Sequence, residues 1–160
     1  MSDDRPVLII DGLNVFYRHW AANPSMDANG EHVGGIVGFL KGIHFICERY
    51  RPDDVIVAWE SGGSQRRRSV DSSYKNGRRP AKLNRFYDEI PNTVENRNSQ
   101  VALLVSLLRK AGIKQIYVPD CEGDDVVAYL TGVTFRDKSC VVISTDKDFF
   151  QLIDDRVKVF

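Results

Sequence analysis

The sequence predicts an α/β fold with a mainly parallel central sheet flanked by helices. Three observations carry that expectation. Short apolar runs recur along the chain, they are rich in β-branched residues and bounded by polar or turn residues, and helical periodicity fills the intervals between them. Parallel strands covered on both faces read this way.

The strands are expected at residues 7–10, 55–59, 116–118 and 140–143, with a fifth at 157–160. Between them, residues 36–50 place Phe39, Ile43 and Ile46 on one helical face. Residues 99–111 do the same with Val101, Leu104, Val105 and Leu108, and Gly112 stands where a helix ends in a left-handed residue. Residues 124–130 read as the first turns of a third helix. The stretch 62–98 breaks the alternation: it is polar, basic and tyrosine-bearing, and Gly77 and Pro80 interrupt any helix in it. A connection of that length is either a functional lid or a mobile segment.

The 160 residues fit one domain, and 42% hydrophobic with 28% charged residues is ordinary for a globular fold with one core. No segment approaches the roughly 18 uncharged residues of a membrane span, and the N-terminus lacks the basic start and cleavage site of a secretory signal. Cys47, Cys121 and Cys140 are widely spaced, odd in number and without a CxxC pair. They indicate core or incidental thiols and a reducing cytoplasm, not a disulfide framework or a structural zinc site.

Net charge is zero, from 22 basic and 22 acidic residues, but the two signs are segregated. Arg66, Arg67, Arg68, Lys75, Arg78, Arg79, Lys82 and Arg85 face only Asp71 in their stretch, whereas acids gather at 120–125 and 146–155. The acids also follow the strands. The first strand ends in Asp11, the second in Glu60, the third leads to Asp120 and Glu122, and the fourth leads to Asp146.

Carboxyl ends of parallel strands border the ligand crevice of an open α/β sheet, so Asp11, Glu60, Glu122, Asp124, Asp125, Asp146 and Asp148 are expected at one edge. Such a set repels itself unless a cation intervenes. Mg²⁺ takes oxygen ligands and often needs only one or two carboxylates plus waters. Two ions about 4 Å apart suit phosphodiester hydrolysis, by activating water and stabilising the leaving oxygen. Any one of these acids alone is better read as a helix N-cap or turn former, and Asp120, Asp154 and Asp155 as solvated acids. Recurrence at successive strand ends reverses that reading for the set.

Six segments in order carry a resemblance: IIDGLNVFYR (9–18), Gly38–Phe39, VAWE (57–60), RRSVDSSYKNGRR (67–79), CEGDDVVAYL (121–130) and STDKDFFQLI (144–153). Together they resemble the 5′-nuclease family, which includes flap endonucleases, phage 5′–3′ exonucleases and the nuclease domain of bacterial DNA polymerase I. The resemblance implies that residues 1–160 form the N-terminal, PIN-like catalytic domain with an arch at about 62–98. Asp11, Glu122 and Asp124 then match acids that hold the catalytic metal, and Asp125, Asp146 and Asp148 match acids of the same cluster, some nearer a second metal. The family usually has Asp where this chain has Glu60, which can still reach an ion through a water. Lys75 and Arg78 match a YK-x-x-R motif that reaches the scissile phosphate, and Arg67 a further basic residue of the arch. Tyr17, Arg18, Tyr74 and Arg79 complete the expected nucleic-acid contacts, the tyrosines by stacking on bases.

The implied activity is that of a 5′–3′ exonuclease or flap endonuclease using Mg²⁺ or Mn²⁺, with two ions. Its substrates would be DNA with 5′ ends, flaps or nicks, or RNA–DNA hybrid, in a bacterial or phage-infected cytoplasm. The family continues past a strand like 157–160 into a helix–hairpin–helix region that this sequence does not contain, so the expectation is either a fragment or one piece of a nuclease whose partner is a separate helix–hairpin–helix polypeptide. A PIN-type RNase and a non-catalytic nucleic-acid-binding replication component are the competing readings.

Overall fold

The computed structural model describes residues 5–60, 90 and 93–160. Five parallel strands form one sheet: β1 (Val7–Asp11), β2 (Asp54–Trp59), β3 (Lys114–Tyr117), β4 (Cys140–Ile143) and β5 (Val157–Val159), in the order β3-β2-β1-β4-β5. The helices are α1 (Gly12–Ala22), α2 (Gly34–Tyr50), α3 (Val94–Lys110) and α4 (Gly123–Tyr129). A π-helical turn, Leu130–Thr134, extends α4, and a 3-10 helix, Lys147–Leu152, links β4 to β5.

The topology follows from the handedness of crossovers. The chain steps outward from β1 to β2 to β3 and then returns across the sheet to β4 and β5. Right-handed connections that run in opposite directions put their helices on opposite faces. Accordingly, α1, α2 and α3 cover one face through Phe16, Trp20, Phe39, Ile43, Leu104 and Leu108, packed on Leu8, Ile10, Val57 and Val141. The other face holds Val7, Ile9, Ile56 and Val142 under Val126 and Val127 of α4, Leu130 of the π-helical turn and Phe149. Neighbouring β1 residues thus serve different cores, and each buried aliphatic side chain contributes about 1.5–3 kcal/mol.

Local chemistry sets the element ends. Thr93 caps α3 by accepting from Asn96 N–H at 3.1 Å. The far end closes at Gly112 with φ +74°, where Gly112 N–H bonds Arg109 and Ile113 N–H bonds Leu108, a Schellman arrangement. A Cβ at Gly12 would lie 2.6 Å from the Trp59 ring and 2.9 Å from the Ala58 carbonyl, so α1 leaves β1 in contact with β2 only because that residue is glycine.

The strands β1, β2, β4 and β5 lie within a residue or two of their expected positions, and β3 begins two residues earlier than expected. Residues 94–98, expected inside the arch, form the first turns of α3. The rest of the arch, 62–89 with 91 and 92, lies outside the described residues. No helix among the described residues is long and apolar enough to cross a membrane. Cys47, Cys121 and Cys140 are free thiols.

Candidate metal centre

The strand order reverses between β1 and β4, so a crevice opens beyond their carboxyl ends. A cleft of about 180 Å³ lies at this edge, lined by Asp11, Leu13, Asn14, Tyr17, Glu60, Gly123, Asp124 and Asp146.

Asp11 ends β1 and caps α1. One carboxylate oxygen accepts from Asn14 N–H at 3.3 Å, and the other accepts from the Ser144 hydroxyl at 3.0 Å. Ser144 is buried just past β4, and its Oγ also accepts from Asp146 N–H at 3.1 Å. Asp146 in turn caps the 3-10 helix through Asp148 N–H at 3.0 Å. Asn14 Oδ1 accepts from both the backbone N–H and the hydroxyl of Thr145, each at 3.0 Å. The start of α1 and the loop after β4 are thereby tied to one another, and Asp11 and Asp146 are held in fixed orientations. Both acids do act as caps, yet each carboxylate oxygen has two lone pairs and retains accepting capacity.

Asp124 enters from the first turn of α4. One oxygen each from Asp124, Asp146 and Asp148 lies within 4.8 Å of the others. Burial pushes the Asp11 carboxyl up to about 6, against the lowering effect of the Asn14 and Ser144 hydrogen bonds, and the charges of Asp124 and Glu60 raise it further. Converging oxygens on three acids, with a fourth acid held protonated-prone beside them, make a donor set suited to a hard divalent cation.

Two expected ligands sit differently. Glu122 is buried at the N-cap of α4 and is not among the residues that line the cleft. Asp125 is exposed and borders another groove, with Ile116, Val118, Val126 and Tyr129. Adjacent helical residues point about 100° apart, so α4 turns Asp124 toward the cleft and Asp125 away. Glu60 lines the cleft, and Asp148 is exposed at its rim beside Asp146. Tyr17 lines the cleft and Arg18 is exposed. Arg67, Tyr74, Lys75, Arg78 and Arg79 lie outside the described residues.

Sequence reasoning passed over Asn14, Ser144 and Thr145. Their signal was positional: Asn14 stands three residues after a capping Asp, and the Ser-Thr pair joins a strand to an Asp-x-Asp turn.

Residues 6–160 match the family described as the 5′–3′ exonuclease, N-terminal resolvase-like domain. The chain belongs to this family. A 5′–3′ exonuclease of Aquifex aeolicus is 28% identical over 158 residues, covering 97% of this chain and 50% of that protein. The thermostable DNA polymerase I of Thermus aquaticus is 30% identical over 155 residues, 96% of this chain and 17% of the polymerase. In fold, the chain is similar to the bacteriophage T5 flap endonuclease solved as a pseudo-enzyme–product complex with DNA and metal ions. That likeness has a TM-score of 0.70 at 22% identity and covers 98% of this chain and 54% of that one. The chain thus spans about half the length of the 5′–3′ exonucleases it matches.

Proposed function

We propose that this chain is the catalytic part of a divalent-metal-dependent 5′-nuclease that hydrolyses phosphodiester bonds of DNA. The observation that carries the reading is the meeting of Asp124, Asp146 and Asp148 oxygens within 4.8 Å at the sheet's switch point, beside Asp11. Family membership and a T5 relative solved with DNA and metal ions support the same reading.

Asp124, Asp146 and Asp148 would hold the cation, with Asp11 and Glu60 closing the other side of the cleft. Mg²⁺ or Mn²⁺, as two ions, would supply water activation and charge stabilisation for the displaced oxygen. Ser144 keeps the Asp11 carboxylate aimed by donating to it, and Asn14 fixes the loop that carries Asp146. Tyr17 offers an aromatic wall against which a base can stack. Lys75 and Arg78 are assigned by their motif to the scissile phosphate, where they would neutralise charge as the transition state forms. The substrate would be a 5′ end, flap or nick in DNA, or RNA in an RNA–DNA hybrid.

The test is cleavage of labelled 5′-flap, nicked duplex and hybrid substrates with Mg²⁺, Mn²⁺ or EDTA, by the chain alone and with a helix–hairpin–helix polypeptide supplied. Metal-dependent products that vanish in EDTA and in Asp146→Ala are expected. No metal-dependent product under any of these conditions would refute the reading.

A further inference from the structure

Arg97 lies in the first turn of α3, with its guanidinium carbon 5.6 Å from the centroid of the Tyr17 ring. Tyr17 lines the acidic cleft. Arg97 Nε is sealed from solvent without a hydrogen-bond partner, and among the described residues no carboxylate forms an ion pair with this guanidinium. Two effects oppose a cation there. The Nε–H is withdrawn from water without an acceptor, which is costly although the side chain as a whole is only half-buried, and the positive end of the helix dipole disfavours a second positive charge. Contact with a tyrosine face returns only about 0.5–2 kcal/mol. An anion at the half-exposed remainder of the guanidinium would supply acceptor oxygens to the charge and is favoured by the helix N-terminus.

We propose that Arg97 binds a backbone phosphate of the nucleic acid and steers the strand across Tyr17 toward the carboxylates. The proposal rests on the nuclease reading above and deepens it. The bound phosphate is a neighbour of the reacting one, because Arg97 contacts Tyr17 of the cleft lining and is not itself among the lining residues. Arg97 is therefore a positioning residue. The planar fork of arginine suits two phosphate oxygens at once, and the same fork keeps the cation stacked on the ring. The sequence signal is a basic residue in a helical first turn, where acids are the usual choice.

The experiment is fluorescence anisotropy of a 5′-phosphorylated single-stranded DNA with Ca²⁺ in place of Mg²⁺, over a series of salt concentrations, for wild type, Arg97→Ala and Arg97→Lys. Arg97→Ala is expected to weaken binding roughly tenfold at low salt and to flatten the plot of log affinity against log salt by about 0.7, the value of one lost phosphate contact on a single strand. Arg97→Lys should keep the slope and recover part of the affinity. A slope that is unchanged in Arg97→Ala, while wild type binds and cleaves, would overturn the assignment and leave Arg97 as a clamp between α1 and α3. A wild type that neither binds nor cleaves nucleic acid would overturn the nuclease reading and the assignment together.

Discussion

The two ends of the sheet use acidic residues in opposite ways. At the amino edge, Asp54 pairs with Lys114, Asp53 with Lys138 at 3.9 Å and Asp154 with Arg156 at 3.5 Å. At the carboxyl edge, Asp124, Asp146 and Asp148 bring oxygens within 4.8 Å of one another, and Asp11 is pushed up to about 6 beside them. Exposed pairs of the first kind contribute roughly 0–1 kcal/mol each and ask nothing more of the fold. At the second edge the Asp11 carboxyl, raised chiefly by burial, costs stability once it ionises, and a cation would offset that cost. Among the described residues that cost sits at one edge, the edge at the topological switch point.

The sharpest way to break this contrast is to remove an acid from each edge. Asp124→Ala or Asp146→Ala should lower metal-dependent cleavage by roughly a thousandfold, since a bound ion supplies several kcal/mol of transition-state stabilisation. Asp124→Ala should leave the melting temperature of metal-free protein unchanged or higher, as calorimetry would read, whereas Asp146→Ala also loses the hydrogen bond from Asp148 N–H and should cost about 0.5–2 kcal/mol. A fall in the metal-free melting temperature of Asp124→Ala would mean that this acid serves the fold first.

Next in size is the pH dependence of Asp11. Its ordinary value is 3.8 and its folded value about 6, so below pH 4 it adds no penalty, and stability is lost as pH rises through about 6. At about 1.4 kcal/mol per pH unit, the loss approaches 3 kcal/mol in metal-free protein. Urea unfolding from pH 4 to 7 should show that slope in wild type, a flatter one in Asp11→Asn, and a flatter one when a divalent ion offsets the charge.

Ser144→Ala sharpens the contrast further. It removes the hydroxyl shared by Asp11 and Asp146 N–H, and is expected to cost about 1–2 kcal/mol in denaturation. Ion affinity, read by titration calorimetry, should weaken roughly tenfold. The smallest effect belongs to the amino edge: Lys114→Met should change stability by less than about 1 kcal/mol and leave cleavage rates untouched.

Much of this was legible in the sequence, for reasons that differ by element. β1 and β4 are buried on both faces, so their uninterrupted apolar runs marked them. β3 is an edge strand of sequence KQIY with half of it exposed, so its apolar signal fell late, on 116–118. Helix α1 hid because its one clear start signal, Asp11, is also a cleft residue. The first turns of α3 are polar, and only the Thr93 cap announces them. In the site, strand-end position was enough to find Asp11, Glu60 and Asp146. It could not tell Asp124 from Asp125, because that choice depends on the rotation of α4 about its axis. Nor could it find Ser144 and Asn14, whose roles arise from contacts 133 and 131 residues apart in sequence.

On the proposed reading, the carboxyl edge alone among the described residues is a divalent-cation site. Its most direct test is a Mn²⁺ titration followed by paramagnetic broadening of backbone amides in wild type and Asp146→Ala. Saturable broadening centred on Asp11, Asp124 and Asp146 is expected, lost in the variant, with Asp53, Asp54 and Asp154 at the opposite edge unaffected. Broadening that is equal at both edges, or that survives in Asp146→Ala, would contradict the reading.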